Sequence, residues 1–179
     1  MRIAVAGGTG VVGRHAVEAA RAAGHEVVVL SRSSGADVLT GAGLDERMQG
    51  ADAVIDVTNT TTLSAAKAVK FFETATRNLL AAESRAGVTH HVALSIVGID
   101  GIDASYYAGK LAQERAVAAG SVPFTIARAG QFHEFAGQLL SRMSGPVAVL
   151  PKLLMRPVAA REVGAVSYTH LTLPTTPYV

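Results

Sequence analysis

The sequence predicts an α/β fold in which helices cover both faces of a doubly wound parallel sheet. Three observations predict it. Short apolar runs alternate with longer helical patterns along the chain. Those runs lack polar alternation, as strands buried on both faces do. The first of them opens directly into a glycine-rich turn and then an amphipathic helix.

The strand candidates are RIAVAG, EVVVLS, DAVIDVT, HHVALS and FTIARA, each rich in β-branched or other apolar residues. Between them, VVGRHAVEAARAAG, LSAAKAVKFFETATRNLLAAESRAG and SYYAGKLAQERAVAAG are long enough for several helical turns and end at or beside a glycine. The first helix is expected to bury Ala16, Ala19, Ala20 and Ala23. The second carries Leu63, Ala66, Val69, Phe72 and Leu79 near helical spacing, with Lys67, Lys70, Glu73 and Arg77 between them as a solvated back. ADVLTGAGLDERMQGA is less regular and reads as a small edge strand followed by one or two helical turns.

Composition bounds the function. With 179 residues, 49% of them hydrophobic and 17% charged, the chain suits one core-rich domain and excludes disorder. A formal charge of +2, with basic residues scattered, gives no phosphate-neutralising stripe, so nucleic acid is not an expected partner. The absence of cysteine excludes disulfides, thiolate metal sites and a cysteine nucleophile, and fits a reducing compartment. No run reaches the roughly 18 apolar residues of a membrane span, and MRIAVAGGTG lacks the apolar core of a signal peptide. The expectation is a cytoplasmic protein with no membrane partner.

The turn after the first strand reads Gly7-Gly8-Thr9-Gly10-Val11-Val12-Gly13. One glycine for a tight turn, one admitting close backbone approach and one where helix meets strand are what a dinucleotide diphosphate requires. The helix start then offers free amides and positive dipole charge. The spacing Gly7-x-x-Gly10-x-x-Gly13 departs by one residue from the commoner G-x-G-x-x-G, and a plain strand-to-helix turn is the competing reading. After the second strand the chain has Leu30-Ser31-Arg32-Ser33 in place of the acidic residue that binds a ribose 2′-hydroxyl. A guanidinium there can pair with a 2′-phosphate, which predicts NADP over NAD. Arg14 is a weaker candidate for the same phosphate, and a solvated loop arginine is the alternative for Arg32.

Tyr106 and Lys110 lie one helical turn apart in SYYAGK. A phenol is a poor acid-base group at neutral pH, but a neighbouring ammonium favours its phenolate. The pair could therefore shuttle a proton, or Tyr106 and Tyr107 could pack while Lys110 faces solvent. His90 and His91 have no ligand partners in view and read as neutral surface or strand-end residues, and His133-Glu134 lacks a following zinc-spaced histidine. Gln131, Phe132 and His133 are placed on the substrate side of a cleft. Asp45, Glu46 and Asp52 read as loop or cap charges.

The glycine turn, Ser31-Arg32, Asp37, VIDVTN, ALSIVG and YYAGK, in that order, resemble a short-chain dehydrogenase/reductase of the atypical or extended kind, close to the NmrA-like NAD(P)-binding proteins. The resemblance covers about residues 1–166. It implies a Rossmann fold with strand order 3-2-1-4-5-6. It also implies that Asp37 faces the adenine, that Thr58 and Asn59 line the cofactor, and that Ser95 lies near the nicotinamide. In the activity it implies, Tyr106 donates a proton to a developing alkoxide, Ser95 hydrogen-bonds the same oxygen, and Lys110 also holds the ribose hydroxyls.

FTIARAGQFHEF resembles the family's sixth strand and the loop toward substrate. Three functions are open: an NADP-dependent oxidoreductase acting on a small carbonyl or alcohol, a non-catalytic NADP(H)-binding redox sensor, and an epimerase or dehydratase. A small-molecule substrate is the expected partner, and the class admits a homodimer. After AAREVGAV the chain changes to SYTHLTLPTTPYV, which resembles a translated sequencing adapter. Residues 1–166 are thus expected to be a truncated NAD(P)-binding domain lacking most of its substrate lobe, and residues 167–179 a non-native tail whose prolines disfavour helix.

Overall fold

The computed structural model describes residues 1–134 and 157–171. Five strands, β1 (Arg2–Ala6), β2 (Glu26–Leu30), β3 (Ala53–Asp56), β4 (His90–Ile96) and β5 (Phe124–Ala129), form one sheet in the order β2-β1-β3-β4-β5. Every pairing is parallel. The helices are α1 (Val11–Ala22), α2 (Leu44–Met48), α3 (Ala65–Ala86), α4 (Ser105–Ala118) and α5 (Ala160–Thr169). All five predicted strands and the three long helices form where the apolar runs and helical patterns place them.

Strand alternation sorts the core into two layers. Ile3, Val5, Ala53, Ile55, Val92 and Leu94 face α1 and α5 with Val12, Ala16, Val17, Ala160 and Val163. Ala4, Ala6 and Val54 face the opposite side with Leu44, Met48, Leu79 and Ala82 of α2 and α3. Each large side chain fully removed from water there contributes about 1.5–3 kcal/mol.

Three expectations need correction. The edge strand over ADVL does not form. Gly35 and Gly43 take φ of 83° and 69°, which only glycine adopts without strain, and a Cβ on Gly43 would collide with the Gly35 carbonyl. The chain closes into turns instead. The Asp37 carboxylate accepts from Leu39 N at 2.8 Å, and Asp37 N donates to the Ala42 carbonyl at 2.9 Å. Among the described residues the implied order 3-2-1-4-5-6 therefore lacks its outermost strand, and β2 is the edge.

The second correction concerns α3. Leu63 is 87% exposed and precedes the helix, Ala66 is exposed, and the buried stripe is Ala68, Phe72, Ala75, Thr76, Leu79, Ala82 and Glu83. Close approach of α4 explains this choice of small residues. A Cβ on Gly109 would stand 2.7 Å from the Phe72 ring and 2.8 Å from the Ala68 backbone, so the two helices nearly touch. On α1, likewise, Ala23 is exposed and Val12, Val17 and Gly13 join the buried set.

The third concerns His91, which is fully buried and lies 2.8 Å from the equally buried Glu83 carboxylate. By itself burial would lower this imidazole's pKa. The Glu83 hydrogen bond, the Glu83 charge and the Asp56 charge outweigh it and raise the value. His90 behaves as a strand-end residue, half-buried beside the Thr125 hydroxyl at 2.9 Å.

Helix α5 continues three residues past Val166, with Ser167 buried and the Tyr168 hydroxyl 3.0 Å from His25 Nε2. The change in composition and the helix end do not coincide. Phe135 and the rest of residues 135–156, together with residues 172–179 of the tail, lie outside the described residues. Among the described residues no helix is long and apolar enough to cross a membrane.

Candidate active site

Strand β1 sits between β2 and β3, and chain order reverses there, so a crevice opens where the carboxyl ends of β1 and β3 diverge. The glycine turn occupies that point. Gly7 has φ of 78°, and a Cβ on it would lie 2.7 Å from the Val57 carbonyl oxygen. The chain folds back tightly, Gly10 N donating to the Gly7 carbonyl at 2.9 Å and Arg14 N to Gly10 O at 3.1 Å. A Cβ on Gly13 would run into the Gly7 carbonyl oxygen and stand 2.7 Å from Gly8 Cα, so only glycine lets α1 begin this close to β1. Gly10 caps α1 in extended conformation, and Val11, Val12 and Gly13 supply its first-turn amides. Thr9 is exposed on the same turn.

At the end of β2, Ser31 and Ser34 form a reciprocal capping box around a 3₁₀ turn, Arg32–Ser34. Arg32 and Arg14 are exposed, and neither has an ion pair among the described residues. Asp37 is half-buried in the turn beyond.

On the α4 side of the crevice the structure brings together Asn59, Tyr106 and Lys110, the last two around the Phe72 ring, while Ser95 is buried on β4 next to Leu94, whose carbonyl receives Lys110. Ser105 starts α4 with φ of 51°, the sole non-glycine residue in the left-handed region among those described. The Tyr106 hydroxyl donates to Asn59 Oδ1 at 2.8 Å, and its ring meets Phe72 edge-on at 5.5 Å. Burial first, then the Asp56 charge and Tyr107, push the phenol pKa up, opposite to the lowering that the Tyr-Lys spacing suggests.

Lys110 is not the solvated side chain of the packing alternative. Its Nζ is buried, donating to the Leu94 carbonyl at 2.9 Å and to Gln113 Oε1 at 2.8 Å, 4.4 Å from the Phe72 ring centre. Burial lowers its pKa to about 8, with the Asp56 and Glu114 charges pulling the other way. The Ser95 and Thr58 hydroxyls are buried and have no hydrogen-bond partner among the described residues.

Sequence reasoning missed Asp56 and Gln113. Asp56 is fully buried, with Oδ1 accepting from Thr58 N at 2.9 Å and Oδ2 from Gln113 Nε2 at 2.7 Å. A lone carboxylate inside the apolar run VIDV was the available signal.

The β5 edge of the sheet is fastened separately. Arg128 on β5 forks onto Asp100 at 2.7 and 2.9 Å and onto Glu114 at 3.0 and 2.7 Å. Those carboxylates raise the Arg128 pKa, and the guanidinium holds that of Asp100 below the usual range. Gln131 and His133 pair by backbone with Val158. Asp45 bonds Arg85, and Asp52 receives the Arg2 amide, as loop and cap charges do.

A glycine turn that only unsubstituted backbone can make, set at the switch point of a parallel sheet with the unpartnered Thr58 hydroxyl on the adjoining strand end, fits a dinucleotide diphosphate and defines a Rossmann-type nucleotide-binding domain. Residues 7–145 match the NAD(P)H-binding family model, and the chain belongs to that family. The sequence has no match among curated proteins.

Among solved structures, a short-chain dehydrogenase/reductase superfamily protein from Agrobacterium tumefaciens with bound NAD is 24% identical (TM-score 0.64), over 78% of this chain and 52% of its own. The chain thus spans about half of that protein's length. Citrobacter triphenylmethane reductase complexed with NADP(H) is 18% identical over 98% of this chain and 67% of its own (TM-score 0.71). UDP-N-acetylglucosamine 4-epimerase from Bacillus cereus is 19% identical over 96% and 73% (TM-score 0.73). At these identities the likeness is one of fold.

Proposed function

We propose that the chain is an NADP-dependent oxidoreductase acting on a small carbonyl or alcohol. The observation that carries this reading is the meeting of Tyr106 with Asn59 at the carboxyl ends of the strands that flank the glycine turn. The first-turn amides of Val11, Val12 and Gly13 would hold the diphosphate, Arg32 and Ser31 the 2′-phosphate, Asp37 the adenine end, and Thr58, Asn59 and Lys110 the nicotinamide riboside. When bound, the nicotinamide supplies or accepts the hydride. Tyr106 moves the matching proton at the substrate oxygen, and Ser95 donates a hydrogen bond to that oxygen.

Tyr106 is protonated at neutral pH, as a donor to the substrate oxygen must be, but burial makes it a weaker acid than an ordinary phenol, and the shift does not choose a direction of reaction. A second reading, cofactor binding without turnover, is favoured by one observation: Lys110 Nζ is engaged in the core beneath Tyr106.

Tyr106→Phe separates the two. In an enzyme it lowers substrate-dependent NADPH oxidation by about 10²–10⁴-fold and leaves NADPH affinity within a few-fold. Unchanged turnover in the folded variant sinks the role of Tyr106, and wild-type protein that binds NADPH yet oxidises it with no carbonyl substrate supports the second reading.

A further inference from the structure

We infer that Asp56 is a positioning residue for both members of the Tyr106/Lys110 pair, acting through Gln113 on one side and the Thr58-Asn59 turn on the other. Its two carboxylate oxygens serve different elements. Oδ1 accepts from Thr58 N at 2.9 Å and fixes the turn in which the next residue, Asn59, receives the Tyr106 hydroxyl at 2.8 Å. Oδ2 accepts from Gln113 Nε2 at 2.7 Å, and Gln113 Oε1 accepts from Lys110 Nζ at 2.8 Å. Asp56, Gln113 and Lys110 are 0%, 1% and 4% exposed, so water does not substitute for a lost partner.

Donor chemistry leaves Gln113 one orientation. An ammonium has only hydrogens to offer and a carboxylate only lone pairs. The carboxamide oxygen must face Lys110 and its NH₂ must face Asp56. Gln113 thus transmits the sign of Asp56 to the lysine: a donor at position 56 would turn the amide and set its NH₂ against the ammonium. The buried charges of Asp56 and Lys110 compensate one another across this single amide. The inference rests on the reading above for what the lysine and tyrosine do, but not for the network that holds them.

The test is a reciprocal exchange. Asp56→Asn keeps an acceptor for Thr58 N but presents NH₂ to Gln113. Gln113→Glu sets a second carboxylate against Asp56. The double variant D56N/Q113E restores one carboxylate, one ammonium and a consistent chain of donors. In it the amide introduced at position 56 donates to the carboxylate introduced at position 113, which also accepts from Lys110. Lys110 titration is followed by ¹³C NMR on lysine-labelled protein, NADPH affinity by calorimetry and folding by circular dichroism.

The expected result is a lowered Lys110 titration in Asp56→Asn, an NADPH affinity about tenfold weaker in each single variant, and recovery to within about threefold of wild type in the double. A purely structural role would shift melting temperature without this reciprocal recovery. The inference is overturned if Asp56→Asn leaves Lys110 titration unmoved, or if the double variant is no better than the worse single variant. Should the single variants fail to fold, a folded double variant with Lys110 titrating at or above its wild-type value supports it, because the carboxylate now meets the ammonium directly, and an unfolded double variant overturns it. If the wild type takes up neither NADPH nor NADH, the functional reading fails, and Lys110 titration across the series still decides the network.

Discussion

Replacing Gly13 with alanine tests the joint between β1 and α1, and Gly10→Ala provides its internal contrast. On Gly13 the new Cβ would overlap the Gly7 carbonyl oxygen and lie 2.7 Å from Gly8 Cα and 2.8 Å from the Gly7 carbonyl carbon. These are backbone atoms, so no side chain can swing aside, and the turn must open by about 1 Å to reach ordinary contact. Overpacking of this kind costs about 1–3 kcal/mol of stability.

Opening the turn also re-aims the first amides of α1. Losing even one charge-assisted hydrogen bond to a phosphate, about 1.5–3 kcal/mol, weakens binding roughly 10- to 100-fold. At Gly10 the backbone angles of −77° and 179° suit alanine, and the nearest atom to a Cβ is Gly7 O at 3.2 Å. Gly10→Ala should therefore cost about 1 kcal/mol or less as a poorer helix cap, yet weaken the cofactor by filling its approach. Urea unfolding gives the stabilities, and NADPH calorimetry on the folded variants gives the affinities. A Gly13→Ala protein that binds NADPH as tightly as wild type would refute the assignment of this turn as the diphosphate cradle.

Arg32→Ala should weaken NADPH about 10- to 100-fold and NADH less than about twofold, because only the former carries the 2′-phosphate; equal losses in calorimetry would remove the NADP preference. The His91-Glu83 pair makes stability depend on pH with a definite sign. Its folded pKa is raised, so the stabilisation is complete below about pH 6.5 and is lost as pH rises through the folded value. Glu83→Gln should cost about 1–3 kcal/mol and flatten that dependence in unfolding curves taken from about pH 6 to 9. Ser105→Gly should relieve the 51° φ at the start of α4 and stabilise by about 0.5–1 kcal/mol, read by thermal melting; destabilisation would show that the serine side chain contributes more than the backbone strain costs.

The parts of this molecule written in backbone and bulk apolar character were legible in the sequence. Parallel strands buried on both faces must be apolar throughout, and a turn with no room for a Cβ must be glycine, so the sheet and the Gly7-Gly13 turn could be read directly. The face of α3 was misread because close packing against Gly109 selects alanine, while the large Leu63 stands in solvent. His91 was misread because periodicity cannot see a partner eight residues upstream on another element. Asp56 and Gln113 were missed for a related reason. Each looks like a stray polar residue on its own element, and only the packing of α4 over β3 brings a carboxylate, an amide and an ammonium into one chain.

In the fork of Arg128, the Asp100 arm stands in water, whereas Glu114 and the Asp56 chain are buried. Mobile ions weaken the first kind of attraction and scarcely touch the second. Raising ionic strength should therefore loosen Arg128 from Asp100 while the Asp56 chain stays set. Potassium chloride becomes a dial for that one ion pair, while Lys110 keeps its proton affinity.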